Sequence, residues 1–218
     1  MKLYTYFRSS AAYRVRIALN LKALPYEAVP VHLLRGGGEQ LGEAYREVNP
    51  GALLPALDDD GTLLTQSLAI VEYLEEQYPA LPPAVALLPA DAAGRARVRA
   101  LAMTIACDTH PLSNLRVLKY LVHTLKLDEA AKLEWIRHWM RLGLATFEAH
   151  LARDSGTGRF CHGDTPTLAD CCLVPQVFNA ERFEVDLAPY PNIVRIAANC
   201  AELPAFQAAH PSQQSDAE

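Results

Sequence analysis

Lys2-Leu3-Tyr4-Thr5-Tyr6-Phe7-Arg8-Ser9-Ser10-Ala11-Ala12-Tyr13-Arg14-Val15-Arg16-Ile17-Ala18-Leu19 changes its periodicity midway. Lys2–Tyr6 carries two tyrosines, which favour extended backbone, and reads as a strand. From Tyr13 to Leu24 the apolar residues Val15, Ala18, Leu19 and Leu24 take helical spacing, with Arg14 and Arg16 interspersed. Pro25 ends that helix, and Tyr26–Pro30 reads as a second strand. Alternation of this kind argues for an α/β unit.

Working outward, Ala52–Leu57 and Thr62–Thr65 flank Asp58-Asp59-Asp60-Gly61, whose acidic residues and glycine suit a hairpin turn. Ser67 starts a helix in which Val71, Leu74 and Tyr78 recur on one face. The prolines at 79, 82, 83 and 89 then break the helical pattern and supply a stiff connector. Beyond it the pattern is helical. Val98, Leu101 and Ile105 form one stripe, with Leu112 and Leu115 after them. Leu133, Ile136, Met140, Leu144, Phe147 and Leu151 form a more regular one. Thr167-Leu168-Ala169-Asp170 has the form of a capping box opening a helix to about Phe178. The expected organisation is an α/β domain over residues 1–82, a linker over 83–88 and an all-α domain over 89–218.

The chain has 218 residues, a net charge of −5 and a composition 50% apolar, which is ordinary for a globular protein. It lacks the basic footprint with which nucleic-acid binders neutralise phosphates. No apolar run approaches the ~20 residues that span a bilayer, and the first residues do not read as a secretory signal. Of the five cysteines none forms a C-x-x-C pair or completes a metal set, so free thiols in a reducing cytoplasm are expected, with no metal.

The chemistry concentrates where strands give way to helices. Hydroxyls and N–H groups at a helix N-terminus hold anions, and a thiolate placed there is stabilised. Ser9 or Ser10 could donate to such a thiolate; each could equally serve as a plain helix cap. Pro55, if cis, would turn the chain and present the N–H and C=O of Leu54 to an extended peptide. Gln66-Ser67 marks a further helix start suited to a carboxylate, or simply another cap.

Together these features resemble the zeta-class glutathione transferases. The likeness is carried by Ser9-Ser10 followed by Arg14-Val15-Arg16-Ile17-Ala18-Leu19, by Asn49-Pro50, and by Gln66-Ser67-Leu68-Ala69-Ile70-Val71-Glu72-Tyr73-Leu74. It continues through Pro111-Leu112 with Asn114-Leu115 and Val117-Leu118, Thr167–Asp170, Leu173-Val174-Pro175-Gln176-Val177, Asn179–Phe183 and Tyr190-Pro191. It covers nearly the whole chain. Ala11 replaces the family's usual cysteine and Tyr13 its usual tryptophan, while His110 stands where many members carry glutamine. The missing cysteine argues against a mechanism that needs an enzyme thiol there.

The resemblance implies a thioredoxin-like α/β N-terminal domain, an all-α C-terminal domain, a homodimer and glutathione as cofactor. It implies isomerisation of maleylpyruvate or maleylacetoacetate, a dicarboxylate keto-acid, by thiolate addition, bond rotation and elimination. Ser9, with Ser10 and Ala11 beside it, would activate the glutathione sulfur. Gln40, Leu54, Pro55, Gln66 and Ser67 would hold the peptide, Asn114 would lie on the helix facing the thiol, and His110 could hydrogen-bond glutathione or be a partly exposed helix histidine. Arg8, Arg116 and Arg182 would converge on the substrate, since guanidinium forks match carboxylates. Arg8 is the candidate for stabilising enolate charge. The same thiolate could instead serve conjugation or dehalogenation of α-halo acids, and a non-catalytic interaction module is the third reading.

Overall fold

A computed structural model describes residues 1–80 and 84–218, so the boundary at 82 and the start of the linker at 83 lie outside the described residues. Contacts divide the chain into one unit of Met1–Leu87 with Ala201–Glu218 and a second of Leu88–Cys200.

The first unit holds a four-stranded sheet in the order β2-β1-β3-β4. β1 (Lys2–Thr5) runs parallel to β2 (Glu27–Pro30) and antiparallel to β3 (Ala56–Asp59), which pairs antiparallel with β4 (Thr62–Thr65). A two-residue turn joins β3 to β4: Asp60 and Gly61 both have positive φ, and Gly61 N donates to Asp58 Oδ1 at 2.8 Å. Helix α1 (Ser10–Leu21) begins earlier than its apolar spacing suggests, because Ser9 caps it. A short α2 spans Glu43–Val48, and α3 spans Ser67–Gln77.

Leu3, Val15, Ile17, Leu19, Leu57, Ile70 and Leu74 are fully buried in this unit. Each such side chain removed from water contributes roughly 1.5–3 kcal/mol. Lys22 at the end of α1 is buried too, and its Nζ meets Glu75 Oε2 of α3 at 2.7 Å.

The second unit is helical: α4 (Ala92–Met103), α5 (Leu115–His123), α6 (Glu129–Arg153), α7 (Leu168–Arg182) and α8 (Pro191–Ala201). In α6 the stripe Ile136, Met140, Leu144, Phe147 and Leu151 is buried as its spacing requires. α7 runs through Pro175 and one turn past Phe178, to Arg182. Its start is set by Asp170, fully buried, whose Oδ2 accepts from Thr167 N (2.7 Å) and Thr167 Oγ1 (2.9 Å) while Oδ1 accepts from Cys161 N (2.9 Å).

α9 (Pro204–Ala209) and the residues after it lie in the first unit, although their helical pattern groups them with the all-α region. The reason is specific hydrogen bonding to α1. Arg16 Nε donates to Ala209 O at 3.1 Å and Asn20 Nδ2 to Ala205 O at 2.9 Å. Periodicity reports that a segment is helical and which face is apolar, but not which neighbour receives it.

Candidate active site

Register places several connections along one edge of the sheet. Thr5 pairs with Pro30, Tyr4 with Ala56, and Ala56 with Thr65. The ends of β1, β2 and β4 and the start of β3 therefore lie side by side, each about 5 Å from its neighbour. Tyr6–Ser9, the loop that begins at Val31, Leu54-Pro55 and Gln66-Ser67 all emerge there. Segments far apart in sequence become one local surface.

Ser9 occupies the N-cap of α1, where its Oγ accepts from Ala12 N at 3.3 Å; Ser10 beside it is buried. One hydroxyl can fill both roles here, its oxygen accepting from Ala12 N as a cap and its O–H donating to an anion at the positive end of the helix. Arg8 Nη2 donates to Tyr6 Oη at 2.9 Å, and the guanidinium lies 4.9 Å from the Phe7 ring centroid. The loop's own aromatic pair thus holds the arginine.

The Leu54–Pro55 peptide is cis, and Leu54 lies just before the β1–β3 ladder begins at Ala56. Gln66 sits before α3 with φ 69° and ψ 112°, outside the ordinary basins of an L-residue. Ser67, in the first turn, is buried and accepts from Arg14 Nη1 at 3.2 Å. Gln40 is also buried. Its Nε2 reaches Leu33 O at 3.5 Å, and its Oε1 has no partner among the described residues. A buried amide oxygen in this state forfeits the hydrogen bond that would offset its desolvation.

The remaining candidates lie in the second unit. α4 passes into a π-helical turn, Thr104–Thr109, and then a 3₁₀ turn, His110–Ser113. π turns inside helices occur preferentially at functional sites. Thr109 Oγ1 closes this one by donating to Thr104 O at 2.7 Å. Asn114 caps α5, its Oδ1 accepting from Arg116 N at 3.1 Å, so these two candidates are directly joined. Arg116 is exposed on the first turn of α5, and Arg182 is exposed in the last turn of α7 with its guanidinium 4.8 Å from the Phe183 ring.

Sequence reasoning assigned no role to three buried polar groups. Arg14 and Arg16 stand inside an apolar helix at 2% and 0% exposure; all three Arg16 nitrogens donate hydrogen bonds, and Arg14 donates from Nη1 to Ser67 Oγ. Burial lowers the Arg16 pKa to about 10. Gln176 is buried in α7 with neither amide atom partnered among the described residues. The available signal was a polar residue inside an apolar run. Cys161, Cys171, Cys172 and Cys200 are buried free thiols. Desolvation pushes Cys161, Cys171 and Cys200 up, so these are unreactive. Among the described residues no helix is long and apolar enough to cross a membrane.

Residues 3–83 match the glutathione S-transferase N-terminal domain family, and 132–199 the glutathione S-transferase C-terminal domain family. The chain is 54% identical over 216 residues to the maleylpyruvate isomerase of Ralstonia sp., covering 99% of each. It superposes with TM-score 0.94 and 54% identity, over the whole of both chains, on a holo structure of maleylpyruvate isomerase described as a bacterial zeta-class glutathione S-transferase. A maleylacetoacetate isomerase from Methylobacterium extorquens AM1, with bound malonate and glutathione, also superposes at 0.94 over the whole of both chains, at 43% identity.

Proposed function

This chain belongs to the glutathione S-transferase family, and on that premise we propose that it is a glutathione-dependent cis–trans isomerase converting maleylpyruvate to fumarylpyruvate or maleylacetoacetate to fumarylacetoacetate. The observation that carries the reading is the shared sheet edge. It gathers a helix-capping serine, the peptide before a cis-proline and the start of α3.

Glutathione fits these residues. Leu54, before the cis bond to Pro55 and outside the ladder, suits main-chain pairing with an extended peptide. Gln66 and the N-terminal turn at Ser67 suit its γ-glutamyl carboxylate. The unpartnered Gln40 Oε1 suits an N–H donor. Asn114 is assigned to the thiol side and His110 to a hydrogen bond with glutathione. When bound, glutathione supplies the thiolate that adds to the substrate's cis double bond and leaves again unconsumed.

The chain's own residues do the rest. Ser9, with Ser10 adjacent, offers a hydroxyl at the start of α1 that favours the ionised sulfur. Ala11 adds no thiol of its own. Arg8 is assigned to the substrate's keto oxygen, where negative charge appears only in the transition state and the enolate intermediate, and such interactions accelerate the step. Arg116 and Arg182 take the carboxylates. The first unit is the glutathione-binding domain and the second the substrate-binding one, in a cytoplasmic homodimer.

The test assays maleylpyruvate and maleylacetoacetate in parallel, with and without catalytic glutathione, following fumaryl product and total thiol. Product at constant thiol is expected. Thiol consumed in step with an α-halo acid, with neither maleyl acid turned over, would replace the isomerase by a dehalogenase.

A further inference from the structure

The loop that carries Arg8 and Ser9 is tied to a segment some two hundred residues later in the chain. Tyr6 and Phe7 are buried at the head of that loop. Their carbonyls accept from Arg16: Nη1 reaches Tyr6 O at 3.3 Å and Nη2 reaches Phe7 O at 3.0 Å. Nη1 also donates to Thr5 Oγ1 at 3.0 Å. Among the described residues the acceptors of this buried cation are all neutral, Ala209 O included. The Phe7 N–H points the other way and donates to Asp216 Oδ2 at 3.0 Å.

Asp216 therefore serves two groups at once. It accepts from the backbone immediately before Arg8, and it places negative charge near the Arg16 guanidinium, opposing the effect of burial there. Two residues on, Glu218 Oε1 meets His32 Nε2 at 3.0 Å and Arg35 Nη2 at 3.5 Å. The His32 ring packs edge-on against Tyr6, centroids 4.9 Å apart, and the Tyr6 hydroxyl holds Arg8. Residues 209–218 thus contact both sides of the arginine's support.

We propose that Asp216 is a positioning residue: the segment after α9 straps the Phe7–Ser9 backbone in place and so presents Arg8 and Ser9 for catalysis. The inference rests on the isomerase reading for its catalytic half only. Misplacement of a catalytic group by about 1 Å is enough to cost on the order of 10²-fold in rate. The strap acts by preventing it. An Asn at 216 retains a side-chain oxygen for the Phe7 N–H, whereas an Ala does not.

The experiment compares Asp216→Ala and Asp216→Asn in the full chain. Hydrogen exchange over residues 6–9 is read alongside kcat and KM at saturating glutathione and the glutathione Kd. For Asp216→Ala the expected result is faster exchange at 6–9, kcat down by roughly 10–100-fold, and glutathione affinity within about twofold. Asp216→Asn should recover most of the exchange protection and of kcat. Unchanged exchange at 6–9 in Asp216→Ala overturns the strap, whatever the activity. Faster exchange with parental kcat overturns its catalytic role. A parent enzyme with no isomerase activity sinks the functional reading and that catalytic role together, while the exchange data still decide the strap.

Discussion

Gly143 of α6 lies so close against Thr109 that a Cβ there would come within 2.6 Å of Thr109 Cγ2 and overlap its hydroxyl. That hydroxyl closes the π turn by bonding Thr104 O, and the turn leads directly into His110. A glycine in the middle of a long helix costs helical stability. Here the missing side chain is what lets α6 accept the threonine.

Gly143→Ala is therefore expected to destabilise the protein by about 1–3 kcal/mol through overpacking. For a chain of this size each kcal/mol lowers Tm by roughly 2–4 °C. Removing the opposing atoms in Gly143→Ala/Thr109→Ala should make the double variant lose less than the sum of the singles. Strict additivity in calorimetry would show that the two residues do not meet.

Gln66 holds φ 69° and ψ 112° without a glycine's freedom, a conformation that costs on the order of 1–3 kcal/mol. Gln66→Gly should leave Tm unchanged or higher while weakening glutathione binding by roughly 10–100-fold, the usual worth of a lost hydrogen bond to a charged group. Titration calorimetry beside thermal unfolding separates the two effects. Parental affinity in the variant would remove Gln66 from the cofactor site.

Arg8→Ala should lower kcat by roughly 10²–10³-fold, the scale seen when one transition-state donor is removed. Glutathione affinity should hold nearly constant. Lost affinity with unchanged turnover of the bound enzyme would reassign the arginine from substrate to cofactor.

Two carboxylates respond to acid in opposite directions. Asp154 is held below the usual carboxylate range by Gly156 N at 2.7 Å and then by Arg97, whose Nε lies 2.7 Å from Oδ2. Its folded pKa is depressed, so its stabilising contribution is present above the ordinary value of 3.8 and is lost as pH falls through the folded one. Burial pushes Asp170 up, so the folded state takes its proton first and the cost of ionising it appears as pH rises through the folded pKa. Urea unfolding between about pH 3 and 6 should show a shallower loss of stability on acidification for Asp154→Asn than for the parent. An unchanged slope would mean that solvent already screens this half-exposed acid.

Local features were legible because they depend on neighbours in the chain. The buried stripe of α6 follows from 3.6-residue spacing. The Asp60-Gly61 turn follows from acidic residues beside a glycine, and the start of α7 from Thr167 and Asp170 three residues apart. The family resemblance belongs here too, since it rests on the order of short motifs. It led to the two-part fold and to glutathione.

Arg14 and Arg16 were not legible. A basic residue within an apolar helix ordinarily marks its solvated face. Arg16 is buried because Thr5, the Tyr6 and Phe7 carbonyls and Ala209 supply acceptors from outside its own helix, and Arg14 meets Ser67 of α3. The sequence by itself determined the elements, their caps and the residue types available for chemistry. Tertiary structure alone decided that the segment from Ala201 joins the first unit, that Asp216 meets Phe7, and that Ser9, Leu54 and Ser67 open at one sheet edge. The physical reason is range. Periodicity and capping act within a few residues, whereas strand register and the satisfaction of buried polar groups exist only once distant segments have packed together.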